Sequence, residues 1–220
     1  MQMTKRAVTT PRIILAIALG GLLAFAVASP AAAQDEQETQ AEPSTTNNDA
    51  DEQAEEKEKL QVVKLADGRL VLQVPARWEA QRPSVRFIEV ELKVPPKEND
   101  AADPGRLTIM QAGGSVEANV ERWYGQFRQP DGKSSKEAAN VDEKEVDGLK
   151  VHTVDVSGTF LDRRGPFGPA TEKEAYRMLA AIIQTDGAGN YFIKLTGPTE
   201  TIKQNEKAFA RMIDELEWSE

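Results

Sequence analysis

Hydrophobic and polar positions divide the 220-residue chain into three unlike stretches. From Ile13 to Ala28 every position is apolar or glycine (IILAIALGGLLAFAVA). From Gln34 to about Leu60 there is no aromatic and no β-branched aliphatic side chain. From Gln61 onward short alternating runs and two helical stripes are separated by glycine and proline, the pattern of a folded domain.

Within that last stretch, Gln61–Leu65 and Arg69–Val74 are β-rich runs around Asp67-Gly68, a two-residue hairpin signal. Pro75 ends the second run, and Ala76–Arg82, with Trp78, reads as a turn or helical turn. Val85–Val94 alternates, with Ile88, Val90, Leu92 and Val94 on one side and Glu89, Glu91 and Lys93 on the other, which predicts a strand covered on one face. Arg106–Gln111 is another strand. Ser115 is placed to cap a helix reaching about Arg128, on which Val116, Val120, Trp123 and Phe127 form an apolar stripe. Gln129–Gly132 stops it. Lys136–Val146 and Leu149–Phe160 flank Asp147-Gly148, a second hairpin signal. Tyr176–Gln184 (YRMLAAIIQ) is nearly continuous in apolar residues, which suits a strand buried on both faces and demands a layer on each side of the sheet. Tyr191–Thr196 is a strand broken by Gly197-Pro198. Thr199 or Thr201 then caps a last helix to about Glu217, with Ile202, Phe209, Met212, Ile213 and Leu216 on its inner face. Hairpins joined by two separated helices predict an α+β fold, an antiparallel sheet flanked by helices.

Charge sharpens the division. Lys5, Arg6 and Arg12 precede the apolar run, and Ser29, Pro30 and Ala31–Ala33 follow it, the order of a secretory signal cleaved between Ala33 and Gln34. The alternative is an uncleaved anchor over Ile13–Ala33, about 21 residues and long enough to span a bilayer. Both place the remainder outside the cytoplasm, periplasmic or extracellular. Residues 34–60 carry ten acids against two lysines and too little apolar surface to offset chain entropy, so they read as a disordered acidic linker. Asp49-Ala-Asp51 within it lacks the turn glycine and terminal glutamate of a calcium loop. Residues 61–220 form the domain, whose charges nearly balance despite the chain total of −9. No polyanion footprint results, so nucleic acid is not an expected partner. The absence of cysteine excludes disulfides, thiolate chemistry and a lipidated N-terminal cysteine.

The segments VEANVERWYGQF (116–127), VDVSGTF (154–160) and YFIKLTGP (191–198), closed by an amphipathic terminal helix, together resemble exported bacterial proteins of unknown function with the PsbP-like α/β/α sandwich. Over residues 60–218 the resemblance implies an antiparallel sheet between helices and an accessory or assembly role. It carries over no binding residue.

Candidate chemistry is sparse. His152, the one histidine, shares a strand face with Val154, Val156 and Phe160 and reads as a hydrogen-bonded core or boundary residue. Gly113-Gly-Ser115 lacks the nucleophile elbow, and no phosphate-binding glycine pattern is present. Gly187-Ala-Gly189 suits a hairpin. Glu89, Glu91 and Asp155 are acids on strand faces, read as solvated. Lys194 lies mid-strand, aligned with Phe192 and Thr196. It reads as a snorkelling or paired lysine, with Asp155 as candidate partner, and an anion contact is the functional alternative. No catalytic residue, cofactor or metal is assigned. The interaction candidate is the loop Asp162–Glu174 (DRRGPFGPATEKE), where Arg163, Arg164 and Phe167 sit between Gly-Pro pairs that limit the freedom of an exposed aromatic. The expected function is a non-catalytic interaction domain for a protein or envelope component, with membrane contact only through a retained leader. The alternative is a small-ligand binder using a sheet–helix cleft, and the third reading is a hydrolase.

Overall fold

The computed structural model describes residues 58–97, 102–163, 168–185, 187 and 189–219. The leader, its cleavage position at Ala33 and Gln34, and the acidic linker up to Lys57 lie outside them. Among the described residues no helix is long and apolar enough to cross a membrane.

Strands β1 (Leu60–Leu65) and β2 (Leu70–Pro75) pair antiparallel from Leu60↔Pro75 to Leu65↔Leu70. The Asp67-Gly68 hairpin is there, but its connection is longer than two residues. Ala66, Asp67 and Gly68 all take left-handed backbone angles (φ 52, 56 and 89), and the backbone N–H of Arg69 closes the turn onto Ala66 O at 3.2 Å. At the C-terminus β11 (Glu217–Trp218) adds to β2, a strand that the sequence pattern had merged with the helix before it. The Arg69 guanidinium lies over the Trp218 ring at 5.2 Å.

The larger sheet has the order β3-β4-β5-β10-β9-β8-β6, with β7 also paired to β8. Its strands are β3 (Glu79–Gln81), β4 (Val90–Val94), β5 (Gly105–Ala112), β6 (Phe127–Arg128), β7 (Asn140–Val146), β8 (Leu149–Arg163), β9 (Ala170–Thr185) and β10 (Gly189–Pro198). The pairings among them are antiparallel. The β7–β8 turn is as expected, with Asp147 and Gly148 at φ 49 and 76. Asp147 also accepts the Trp218 N–H at 2.6 Å, tying this turn to β11.

Helix α1 (Val116–Tyr124) begins where Ser115 accepts the Ala118 N–H at 3.2 Å. It packs Val120 and Trp123, with Phe127, Val154, Val156, Met178, Ala180, Ile182 and Phe192, into a core on one face of the sheet. The short α2 (Ser135–Ala138) lies beyond it. On the other face, α3 (Thr199–Asp214) and the β1–β2–β11 sheet cover Leu92, Leu107, Ile109, Val151, Leu179, Ala181, Ile183, Ile193 and Leu195. The fold is therefore α+β, an antiparallel sheet flanked by helices, with the small sheet completing the α3 layer.

Several elements differ from expectation for local reasons, among them the strand read over Lys136–Val146, which begins only at Asn140 because Ser135–Ala138 form α2. The strand read over Val85–Val94 starts only at Val90, because a turn closed by the Ile88 N–H to Val85 O (3.2 Å) precedes it. Glu79–Gln81, read as turn, pairs with β4. Helix α1 stops at Tyr124 before Gly125, and Phe127 reaches the same core from β6, opposite Phe160. Neither Thr199 nor Thr201 caps α3: their hydroxyls donate to Ala175 O and Asp103 O, both at 2.8 Å.

Gly197 of β10 lies closely against Gly105 of the paired strand β5. A Cβ at Gly197 would lie 2.7 Å from Gly105 Cα and 3.2 Å from Ile202 Cδ1. Gly197→Ala is expected to lower the urea-unfolding free energy by about 1–3 kcal/mol, the cost of overpacking. Gly113→Ala, whose Cβ would meet nothing within 4 Å, serves as the neutral control.

Candidate functional site

Strand periodicity decides which side chains share a face. On β10 the residues turned toward α1 are Phe192, Lys194 and Thr196, while Tyr191, Ile193 and Leu195 enter the α3-side core. Lys194 is opposite Thr108 on β5 and Ala180 on β9, so it sits mid-sheet with a paired strand on each side. Its Nζ donates to Gln126 Oε1 at 2.7 Å. Gln126 is fixed by its own backbone: its N–H donates to Trp123 O at 3.0 Å and its carbonyl accepts the Leu161 N–H at 2.8 Å.

Pairing of Lys194 with Asp155 is ruled out by the same periodicity, since Asp155 points to the α3 side. There it receives a two-pronged hydrogen bond from Arg177 (2.9 and 2.7 Å), and Arg177 also reaches Glu206 of α3 at 2.8 Å. The nearest influence of opposite charge on Lys194 is Asp162, itself bound to Lys173 at 2.9 Å. Burial, reinforced by the Arg106 charge, pushes the Lys194 ammonium down to about 8 against a weaker upward pull from Asp162. Two residues further along the same strand face, the Thr196 hydroxyl is sealed from solvent, without a hydrogen-bond partner among the described residues.

Arg106 stands opposite Thr196 across β5–β10. It grips Glu91 through Nε (2.7 Å) and Nη2 (3.0 Å) and holds Ser84 Oγ at 2.8 Å. Glu91 in turn accepts the Ser84 N–H at 3.0 Å, and the Arg106 hydrogen bonds hold its carboxyl below the usual carboxylate range. These contacts pin the loop of residues 82–89 to the sheet, with Ile88 buried as its anchor. Between the pins, Val85 is 41% and Phe87 63% exposed. Arg82 and Arg86 flank them, both exposed.

The other sequence candidates are accounted for locally. His152 is a boundary residue, its Nε2 3.1 Å from Gln184 Oε1 and its Nδ1 3.2 Å from Glu143. Glu91 is paired rather than freely solvated, and Glu89 accepts the Gln111 N–H at 3.2 Å. Gly187 and Gly189 take the positive φ of a hairpin (74 and 80). Most of the stretch read as a loop over Asp162–Glu174 is strand, because β8 and β9 stay paired as far as Arg163↔Ala170. Arg163 is exposed and reaches Gly168 O at 3.4 Å, whereas Arg164 and Phe167 lie outside the described residues. Sequence reasoning missed Phe87. The signal was Pro83-Ser84 before an aromatic flanked by arginines, overridden by the alternation that continues into β4.

Fold and site define an antiparallel-sheet α+β protein with a pinned loop that exposes Phe87 and a half-buried mid-sheet lysine. No protein-family model matches the chain, and no curated protein matches it. Among solved structures it is similar to the cyanobacterial PsbP (CyanoP) of Synechocystis sp. PCC 6803, at 11% identity and TM-score 0.46 over 73% of this chain and 92% of that one. It is also similar to PA94 of Pseudomonas aeruginosa, a protein of unknown function, at 13% identity and TM-score 0.38 over 71% and 94% of the two chains. The fold assignment rests on the strand pairing described above.

Because the folded lysine sits at about 8 rather than 10.5, the unfolded chain binds more protons than the folded one between those values. Stability from this group therefore rises as pH climbs from 8 toward 10.5, by at most about 3 kcal/mol. Lys194→Met is expected to flatten that rise, measured as the difference in urea-unfolding free energy between pH 7.5 and 10.

Proposed function

We propose that this chain is a non-catalytic accessory domain, directed outside the cytoplasm by its leader, that docks another protein or envelope component through the 82–89 loop. The observation carrying this reading is Phe87, 63% exposed on a loop held by the Arg106–Glu91–Ser84 hydrogen bonds. An aromatic side chain on a pinned loop loses little conformational freedom on binding, and its burial is worth about 2 kcal/mol. Arginine and aromatic groups are also enriched among the residues that dominate interface energetics. The partner surface fitting it is an apolar recess with acidic groups at its rim, complementary to Arg82 and Arg86. Arg163, Arg164 and Phe167 of the sequence candidate segment supply a second contact of the same chemistry. The acidic residues 34–60 serve as a solvated extension ahead of the domain.

In affinity capture with the tagged full chain, Phe87→Ala with Val85→Ser is expected to reduce recovery of a specific partner at least about tenfold while moving Tm by no more than about 2 °C. Arg163→Ala with Phe167→Ala gives a separate arm for that segment. Undiminished capture by both double variants would contradict the proposal.

A further inference from the structure

The edges of the two sheets are protected unequally. Among the described residues β3 is three residues long with Glu79 and Gln81 exposed, and β6 and β11 have two residues each. The longer β7 carries Asp142, Glu143, Lys144 and Glu145 in sequence. Short edges and charged edges are the devices by which sheets avoid pairing with another chain. Strand β1 has neither. It is six residues long, its register with β2 runs without a bulge from Leu60↔Pro75 to Leu65↔Leu70, and no described strand lies on its other side.

The ladder fixes which groups of β1 face outward. The Ala76 N–H donates to Lys59 O at 2.7 Å, which makes Lys59 and Ala76 a hydrogen-bonded pair in continuation of the register. By alternation Gln61, Val63 and Leu65 bond to β2, and the backbone N–H and C=O groups of Leu60, Val62 and Lys64 point toward the open edge. The side chains of the same three residues are exposed, whereas Leu65 is buried. At 57% exposure Val62 stands at the middle of this edge.

We infer that β1 pairs antiparallel with β1 of a second copy of this chain, about a two-fold axis at Val62. In that register Val62 meets Val62 of the second copy, and Leu60 of each copy lies along the aliphatic stem of the other's Lys64. Three outward residues of one strand thus find three of the other with no like charges opposed. A foreign strand would have to bring this pattern, and a second copy carries it already. The sequence ahead of β1 adds charge complementarity. Glu55 and Glu56 precede it, and antiparallel pairing directs the chain entering β1 toward the Lys64 end of the other copy, while parallel pairing would set the two acidic entries side by side. The inner face of the small sheet stays on the α3-side core, so the domain need not rearrange. One short strand pair falls well below the roughly 1,200 Å² of stable complexes, so the association is weak and reversible.

The test uses two differently tagged full chains produced together in the native host, fixed with formaldehyde and captured through one tag while the other is read. Wild-type copies are expected to capture each other. Val62→Lys in both copies sets two ammonium groups against each other at the axis and should lower co-capture at least about threefold. Val62→Lys in one copy with Val62→Glu in the other should restore the wild-type level. Because position 62 is exposed, each variant should keep Tm within about 2 °C of wild type. No co-capture of wild-type copies, co-capture unchanged by Val62→Lys in both, or no recovery when Val62→Lys meets Val62→Glu would overturn the inference. So would a different protein captured in place of the second copy and lost with Val62→Lys, which would assign the edge to a strand of that protein. Phe87 is unchanged in every arm, so the result bears on β1 alone.

Discussion

Six consecutive residues of β9, Met178 to Ile183, are each buried, and the rest of the architecture follows from having to cover both sides of that strand. Alternate residues of a strand face opposite ways, so Met178, Ala180 and Ile182 need one apolar layer and Leu179, Ala181 and Ile183 another. Helix α1 with Trp123 supplies the first, where Trp123 meets Phe192 edge-on at 6.1 Å. Helix α3 and the small β1–β2–β11 sheet supply the second. That second layer is locked by Asn205, fully buried, which accepts from Trp78 Nε1 at 3.0 Å and Arg77 Nη2 at 2.7 Å and donates to Pro95 O and Thr201 O. Arg77 also meets Glu58 at 2.6 Å, and Glu58 reaches Arg211 of α3. Glu58 and Leu60, read from sequence as the end of the acidic linker, thus belong to the folded domain, Glu58 through these ion pairs and Leu60 as the start of β1.

The same alternation sorts the charged groups. Asp155, Arg177 and Glu206 form a satisfied trio on the α3 side. Lys194 and Thr196 face α1, where Lys194 donates to Gln126 and the Thr196 hydroxyl has no partner among the described residues. Around His152 the polar groups pair with one another, His152 with Gln184 and Glu143. Where the domain holds an aromatic side chain out in water, at Phe87, there is capacity that folding alone does not use. Function is read from that contrast.

Much of the fold was legible in the sequence because its signals are local. The continuous apolar run at Tyr176–Gln184, the Asp147-Gly148 turn and the Ser115 cap each reflect one dominant physical preference, and each is found in the structure. The failures came where tertiary pairing outweighed local pattern. Val85 to Ile88 alternates like a strand, yet the hydrogen bonds of Ser84 to Glu91 and Arg106 curl it into a turn. The stretch after Phe160 looks like a loop from its glycines and prolines, but pairing with β9 carries β8 on to Arg163. For the site, Lys194 was visible as a mid-strand charge, while its partner was not, because the face on which Asp155 lies and the position of Gln126 depend on packing between elements far apart in sequence.

The central claim is that the pinned 82–89 loop is a docking surface. The most direct test places a photo-crosslinking amino acid at position 87 of the full chain in its native host, with position 141 on the outer strand β7 as comparison. The account predicts a discrete crosslinked protein from position 87 that is absent from position 141, with Phe87 within contact distance of its partner. Crosslinking from position 87 that yields only the free monomer, or the same products as position 141, would contradict it.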